Sequence, residues 1–146
     1  MTRVSLDGRR IDTFESFLKL LAEELARVCD AKPPYFRNSE EPYFGRNFDS
    51  LHDCLHGGLL GKAPYEVVVT NASAFSSTWD RKMLSAYYRQ QYDRIDSKNY
   101  WNDPFYNDQC EWLSDAGERA ENGEGPTFLE ELVDLFEHAG SQLILR

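Results

Sequence analysis

Three cysteines are all that this sequence offers to a disulfide or a soft metal. Cys29, Cys54 and Cys110 are odd in number, widely separated and without metal-ligand spacing, so neither a disulfide framework nor a zinc knuckle is expected. They fit a reducing compartment in which thiols are small core fillers. Long hydrophobic runs are missing too: the best candidate, Val67-Val68-Val69, falls far short of a membrane span. No apolar stretch follows Arg3, Asp7, Arg9 and Arg10 in the way a secretory signal requires. The expected location is therefore the cytoplasm. A basic excess is also lacking. Lys and Arg number 16 against 25 Asp and Glu, a net charge of −9, the wrong sign for holding a phosphate backbone. Direct nucleic-acid and membrane binding are not expected.

The acidity that is present is uneven. Residues 1–40 balance seven bases with seven acids, whereas residues 103–137 hold eleven acids and a single base, Arg119. Such a field steers basic proteins towards a surface. A solvated face kept for solubility has the same composition, so charge alone does not decide between them. At 146 residues and 41% hydrophobic content the chain is expected to be one domain with a real core, spanning 1–146. Aromatics reach 14%, which suits either that core or an interaction surface.

Periodicity supplies the elements. Arg3 to Asp7 alternates like a strand and Asp7-Gly8 makes a turn. Thr13 is a candidate N-cap, with Ser16 where a full capping box has Glu, and Phe14, Phe17, Leu18, Leu21, Leu25 and Val28 follow at helical spacing. Residues 30–42, with Pro33, Pro34 and Pro42, read as an extended loop. A short helix follows, ended by Gly57-Gly58. Tyr65 to Thr70 is apolar and β-branched enough for a buried strand. A helix is expected to start within Asn71–Phe75, another over 80–97, and a short one near 107–117 between two loops. Pro126 at a helix N1 position opens a second strong amphipathic helix, Gly140 stops it, and Gln142 to Leu145 is a final strand. Strands separated by helices imply an α/β fold with a small three-stranded parallel sheet.

The segment from Tyr43 to Gly57 carries the chemistry. Phe48, Leu51 and Leu55 form an apolar stripe, while Asp49, His52, Asp53 and His56 recur at i, i+3, i+4 and i+7 as a polar one. Two carboxylates four residues apart repel each other, so the polar stripe does little for its own helix and suits a positively charged partner.

This segment, with the order of elements around it, resembles the barstar family, intracellular inhibitors of a bacterial ribonuclease. The family pattern is an aromatic pair, Gly, a polar residue, Asn, an apolar residue and Asp, then Trp-Asp, then a polar residue and Gly. Here it reads Tyr43-Phe44-Gly45-Arg46-Asn47-Phe48-Asp49, then His52-Asp53, then His56-Gly57. The resemblance extends to Val4–Gly8, the 13–28 helix, the 65–70 strand and the 126–145 helix and strand. It implies a barstar-like fold with an enlarged insert at about 76–125, before the last helix. It also implies the role of inhibitor or immunity protein for a secreted, basic ribonuclease toxin, in a one-to-one complex without cofactor or catalysis. Asp53 is then the central anchor in place of a substrate phosphate, Asp49 a second acidic contact, and Tyr43 packs on the catalytic centre. Phe44, Asn47, His52, His56 and Gly57 complete the contact surface, with Gly57 permitting close backbone approach. Two departures stand out: His52 occupies the position of a family Trp, and the acidic contact of the last helix falls near Glu137 or His138.

The same residues admit other readings. His52 and His56 at i, i+4 match a zinc-helix spacing, but without a credible third ligand no metal is expected. Cys54 leans to the apolar side of its helix and reads as an inert thiol rather than a nucleophile. Glu111, Asp115 and Glu118 read as charge, not as an acid–base pair. Trp112 is expected in the core, while Trp101 and Tyr106 suit core and secondary contact equally. Two rival roles are a regulatory module for a basic non-toxin protein and a small hydrolase using Asp and His.

Overall fold

The computed structural model describes residues 1–28, 36–38, 41–42, 47–57, 64–97 and 103–146. Strand β1, Thr2–Asp7, buries Thr2, Val4 and Leu6 and exposes Arg3 and Ser5, the period-two pattern of a strand covered on one face. Strand β4, Tyr65–Thr70, is buried almost continuously because it is central. It pairs in parallel with β1, Val4 opposite Val67 and Leu6 opposite Val69, and with β5, Gln142–Leu145, Val67 opposite Leu143. The sheet order is β1-β4-β5. Ser141 locks its start, its buried hydroxyl accepting the Tyr65 N–H at 2.9 Å. At the other end the Arg146 N–H donates to the Val69 carbonyl at 2.9 Å.

Between β1 and β4 lie α1, Phe14–Val28, and α2, Phe48–Gly57. The start of α1 is a reciprocal cap. Ser16 N–H donates to Thr13 Oγ1 and Thr13 N–H to Ser16 Oγ, both at 3.0 Å, so serine fulfils the role expected of Glu. Phe17, Leu18, Leu21 and Leu25 are buried, and the helix packs on β1. Residues 30–42 are not simply a loop. Strands β2, Phe36–Asn38, and β3, Glu41–Pro42, pair antiparallel, with Pro42 at a terminal position where its missing N–H is tolerated.

The chain divides into two compact units, Met1–Ser77 with Leu132–Arg146, and Thr78–Glu131. The first holds both sheets, α1 and α2. The second holds a hairpin of α3, Arg81–Ser97, and α4, Pro104–Glu121, while α5, Phe128–His138, begins in the second and ends in the first. Trp79, Leu84, Tyr88, Leu113, Ala116, Ala120 and Phe128 are the second unit's buried residues of greatest apolar weight. The Trp79 and Phe128 rings meet edge-to-face at 5.2 Å. Ser85 Oγ donates to the Gly117 carbonyl across the hairpin, and Arg89 pairs with Glu121.

Four further expectations need correction. The helix expected at 107–117 is α4, which runs from 104 to 121. Asp103 caps it by accepting the Phe105 N–H at 3.0 Å, and Pro104 takes N1, a start signal hidden by the Asn- and Asp-rich surroundings. No α-helix starts within Asn71–Phe75. Asn71 has φ 53°, outside the extended region an N-cap adopts, and two 3-10 turns follow at Ala72–Ala74 and Ser76–Thr78. The cap belongs to Asp80, whose Oδ1 accepts the Met83 N–H as α3 begins. Pro126 is not at N1 of the last helix. Thr127 is its cap, its hydroxyl accepting the Glu130 N–H while the Glu130 carboxylate accepts the Thr127 N–H. Finally, Trp112 is not a core residue: it is 55% exposed, its ring set edge-to-face against Tyr88.

Candidate functional site

Helix α2 starts where Asn47 can stop the preceding chain. Its side-chain carbonyl accepts the Ser50 N–H at 2.8 Å, and its backbone carbonyl accepts the Leu51 N–H. From that fixed start, helical spacing sends Leu51 and Leu55 into the core, fully buried. Phe48 is half-buried and meets Phe14 of α1 edge-on at 5.4 Å, which ties the first turn to α1. These three contacts fix the rotation of α2 about its axis.

With that rotation set, the polar stripe can only point outward. Asp49 is exposed in the first turn, next to the positive end of the helix dipole. Asp53 is 87% exposed in its side chain. His52, at 38%, has its Nδ1 3.9 Å from Asp53 Oδ1, and its ring lies parallel to that of the exposed His56, centroids 6.1 Å apart at 11°. Gly57 is the last residue of the helix. Asp49, His52, Asp53 and His56 thus share one outward edge on a buried anchor. Asn47 sits at its head with its carbonyl oxygen already engaged in capping.

The remaining candidates fall elsewhere. Tyr43, Phe44 and Trp101 lie outside the described residues, as does Cys29. Tyr106 is half-buried on α4 of the second unit, against Phe105 at 5.4 Å. Glu137 and His138 are exposed in the last turn of α5, where His138 Nδ1 lies 2.8 Å from the Asp134 carbonyl oxygen. The helix edge is the one cluster of candidates that the described residues bring together.

Its chemistry is that of recognition. Two solvated carboxylates accept hydrogen bonds from guanidinium or ammonium donors, and two imidazoles add further polar contacts at the same edge. Cys54 is half-buried. Among the described residues no group of three or more His, Cys, Asp or Glu is placed to hold a metal ion. Among them, too, no helix is long and apolar enough to cross a membrane. Phe105 and Trp112 are large aromatics on the exposed side of α4. Phe105 and Trp112 are seven apart, two turns of one helix, a signal that was available once α4 was known to begin at Pro104.

Residues 37–92 match the family model described as Barstar (barnase inhibitor), a little over a third of the chain. Over those residues the chain is barstar-like. The match contains all of α2 and β4 and runs into α3. A search of curated proteins returns no match.

Proposed function

We propose that this chain is the inhibitor, or immunity protein, of a secreted basic ribonuclease toxin, and that it acts in the cytoplasm of a bacterium that makes the toxin. The family whose model it matches is one of barnase inhibitors, proteins that bind a ribonuclease and are not enzymes. One observation carries the reading: an acidic helix edge, Asp49 and Asp53, held outward by the burial of Leu51 and Leu55.

In this reading α2 enters the nuclease active site and Asp53 takes the place of a substrate phosphate among its cationic residues. Asp49 adds a second carboxylate a turn away. Tyr43 packs on the catalytic centre, Gly57 lets the backbones approach, His52 stands where the family pattern has Trp, and Phe44 and His56 complete the contact surface. Desolvated carboxylates facing bidentate guanidinium donors make strong contacts. The surrounding acidity speeds encounter at low salt. Glu137 and His138 are secondary contacts. Occlusion of the site by a one-to-one complex then suffices for inhibition.

The test is a titration of RNA cleavage by barnase and by a second basic secreted ribonuclease. Stoichiometric inhibition by the intact chain, lost in Asp53→Ala, is the expected result. Full RNA cleavage by both nucleases at saturating chain would overturn the reading. So would inhibition that Asp53→Ala and Asp49→Ala leave intact.

A further inference from the structure

The α3–α4 hairpin carries a surface that α2 does not explain. On α4, Phe105 is 68% exposed and Trp112 is 55% exposed. Asp108 and Asp115 are exposed on the same line, so Phe105, Asp108, Trp112 and Asp115 follow i, i+3, i+7 and i+10 along one face, with Glu111 beside them. Among the described residues none of Asp108, Glu111 and Asp115 has an ion-pair partner. By contrast Glu121, on the same helix, is paired with Arg89. The neighbouring face of α4, Leu113, Ala116, Gly117 and Ala120, is buried.

Solubility accounts for the acids but not for a Phe and a Trp left among them. The alternating pattern is what a row of guanidinium groups needs. Each carboxylate accepts a charge-assisted hydrogen bond, and each ring offers a π-face to the planar cation. Tyr88 supports the Trp112 ring edge-to-face at 5.4 Å and 85°, holding it upright at the rim of a groove of about 380 Å³. Glu124, Glu131 and Arg119 line that groove. Self-docking of two such helices is disfavoured by like charge, five acids and one base over 104–121, and a nucleic acid is repelled for the same reason.

We propose that this face of α4 is a docking surface for an arginine-rich segment of a protein partner. The row spans about 15 Å at 1.5 Å per residue. Four or five residues of extended peptide therefore cover it at roughly 3.3 Å each. Arginine is favoured over lysine because only guanidinium stacks on an indole while pairing with a neighbouring carboxylate. The proposal stands on the second unit alone and does not depend on the role assigned to α2.

The experiment uses the full chain, ¹⁵N-labelled, titrated with an eight-residue peptide alternating arginine and glycine, and with its lysine counterpart. Amide shifts concentrated at 104–116, with the arginine peptide several-fold tighter, are the expected result. Trp112→Ala should weaken the arginine peptide about ten-fold and abolish the preference over lysine. Phe105→Ala and the double variant Glu111→Gln, Asp115→Asn provide independent checks, since all these side chains are exposed. Shifts centred on 48–57 or spread over the whole acidic surface would overturn the proposal. Equal binding by Trp112→Ala would do the same, as would concentration-dependent self-association through Trp112 in sedimentation.

Discussion

Replacing Asp53 by Ala separates folding from recognition, and the two effects should have opposite signs. Asp53 lies in the middle of α2 with its side chain 87% exposed, so no buried contact is lost. Ala exceeds Asp in helix propensity by about 0.5 kcal/mol. Removing the repulsion from Asp49, four residues earlier, returns about 0.3 kcal/mol more. Against these stands the weak attraction to His52 at 3.9 Å, a surface contact worth only a few tenths of a kcal/mol. The variant should therefore be slightly more stable, by about 0.5 kcal/mol. With an unfolding entropy near 2 cal/mol/K per residue, that raises Tm by about 1–2 °C. Binding should move the other way. A hydrogen bond to a charged group contributes about 1.5–3 kcal/mol, so losing two weakens the complex at least about a hundred-fold. Thermal melts by circular dichroism and inhibition titrations on the same preparation give both numbers. A variant that inhibits as well as the intact chain refutes Asp53 as anchor. One that loses several degrees in Tm refutes the claim that α2 holds this carboxylate for a partner.

Three further outcomes follow from the packing. A Cβ on Gly8 would lie 2.5 Å from the Asn71 carbonyl oxygen and 2.8 Å from that of Thr70, both backbone atoms that cannot swing away. Gly8→Ala should therefore cost about 2 kcal/mol or more in urea unfolding, and a neutral result would show that this turn is loose. Ser141→Ala removes the hydroxyl that accepts the buried Tyr65 N–H at the start of β4, with an expected loss of about 1–2 kcal/mol that Ser141→Thr should partly avoid. Burial, reinforced by Glu131, pushes the Tyr88 phenol up from 10.0 to about 12. Below pH 10 both states keep the proton and nothing is lost. Between pH 10 and 12 the unfolded chain releases it first, so stability falls by roughly 2 kcal/mol. Tyr88→Phe should flatten that alkaline limb relative to the intact chain.

What the sequence makes legible is whatever depends on neighbours a few residues apart. The stripes of α1 and α2, the alternation of β1 and the apolar run of β4 all lie in such windows, and their order alone implies the parallel sheet. The errors occur where two chemistries share a residue type. Asn71 serves as well in a left-handed turn as at a cap, and only its φ of 53° tells them apart. Asp103 and Pro104 form a helix start inside a stretch whose Asn, Asp and Gly content reads as loop. Pro126 stands one residue before the cap instead of one after it, because Thr127 and Glu130 can satisfy each other reciprocally.

Trp112 shows why the surface was harder to read than the core. An aromatic residue gains free energy by burial, so without coordinates the interior is the natural assignment. Helical phase overrides that preference here. Leu113, Ala116, Gly117 and Ala120 are the small and aliphatic residues that let α4 lie close to α3, and a ring at 112 falls a hundred degrees away from 113. Once Leu113 is committed inward, Trp112 must stand at the rim, where Tyr88 is within reach and the solvent-side carboxylates are its neighbours. The same logic that turns Asp53 outward because Leu51 and Leu55 turn inward also exposes Trp112. Both candidate surfaces are therefore consequences of which apolar residues each helix buries.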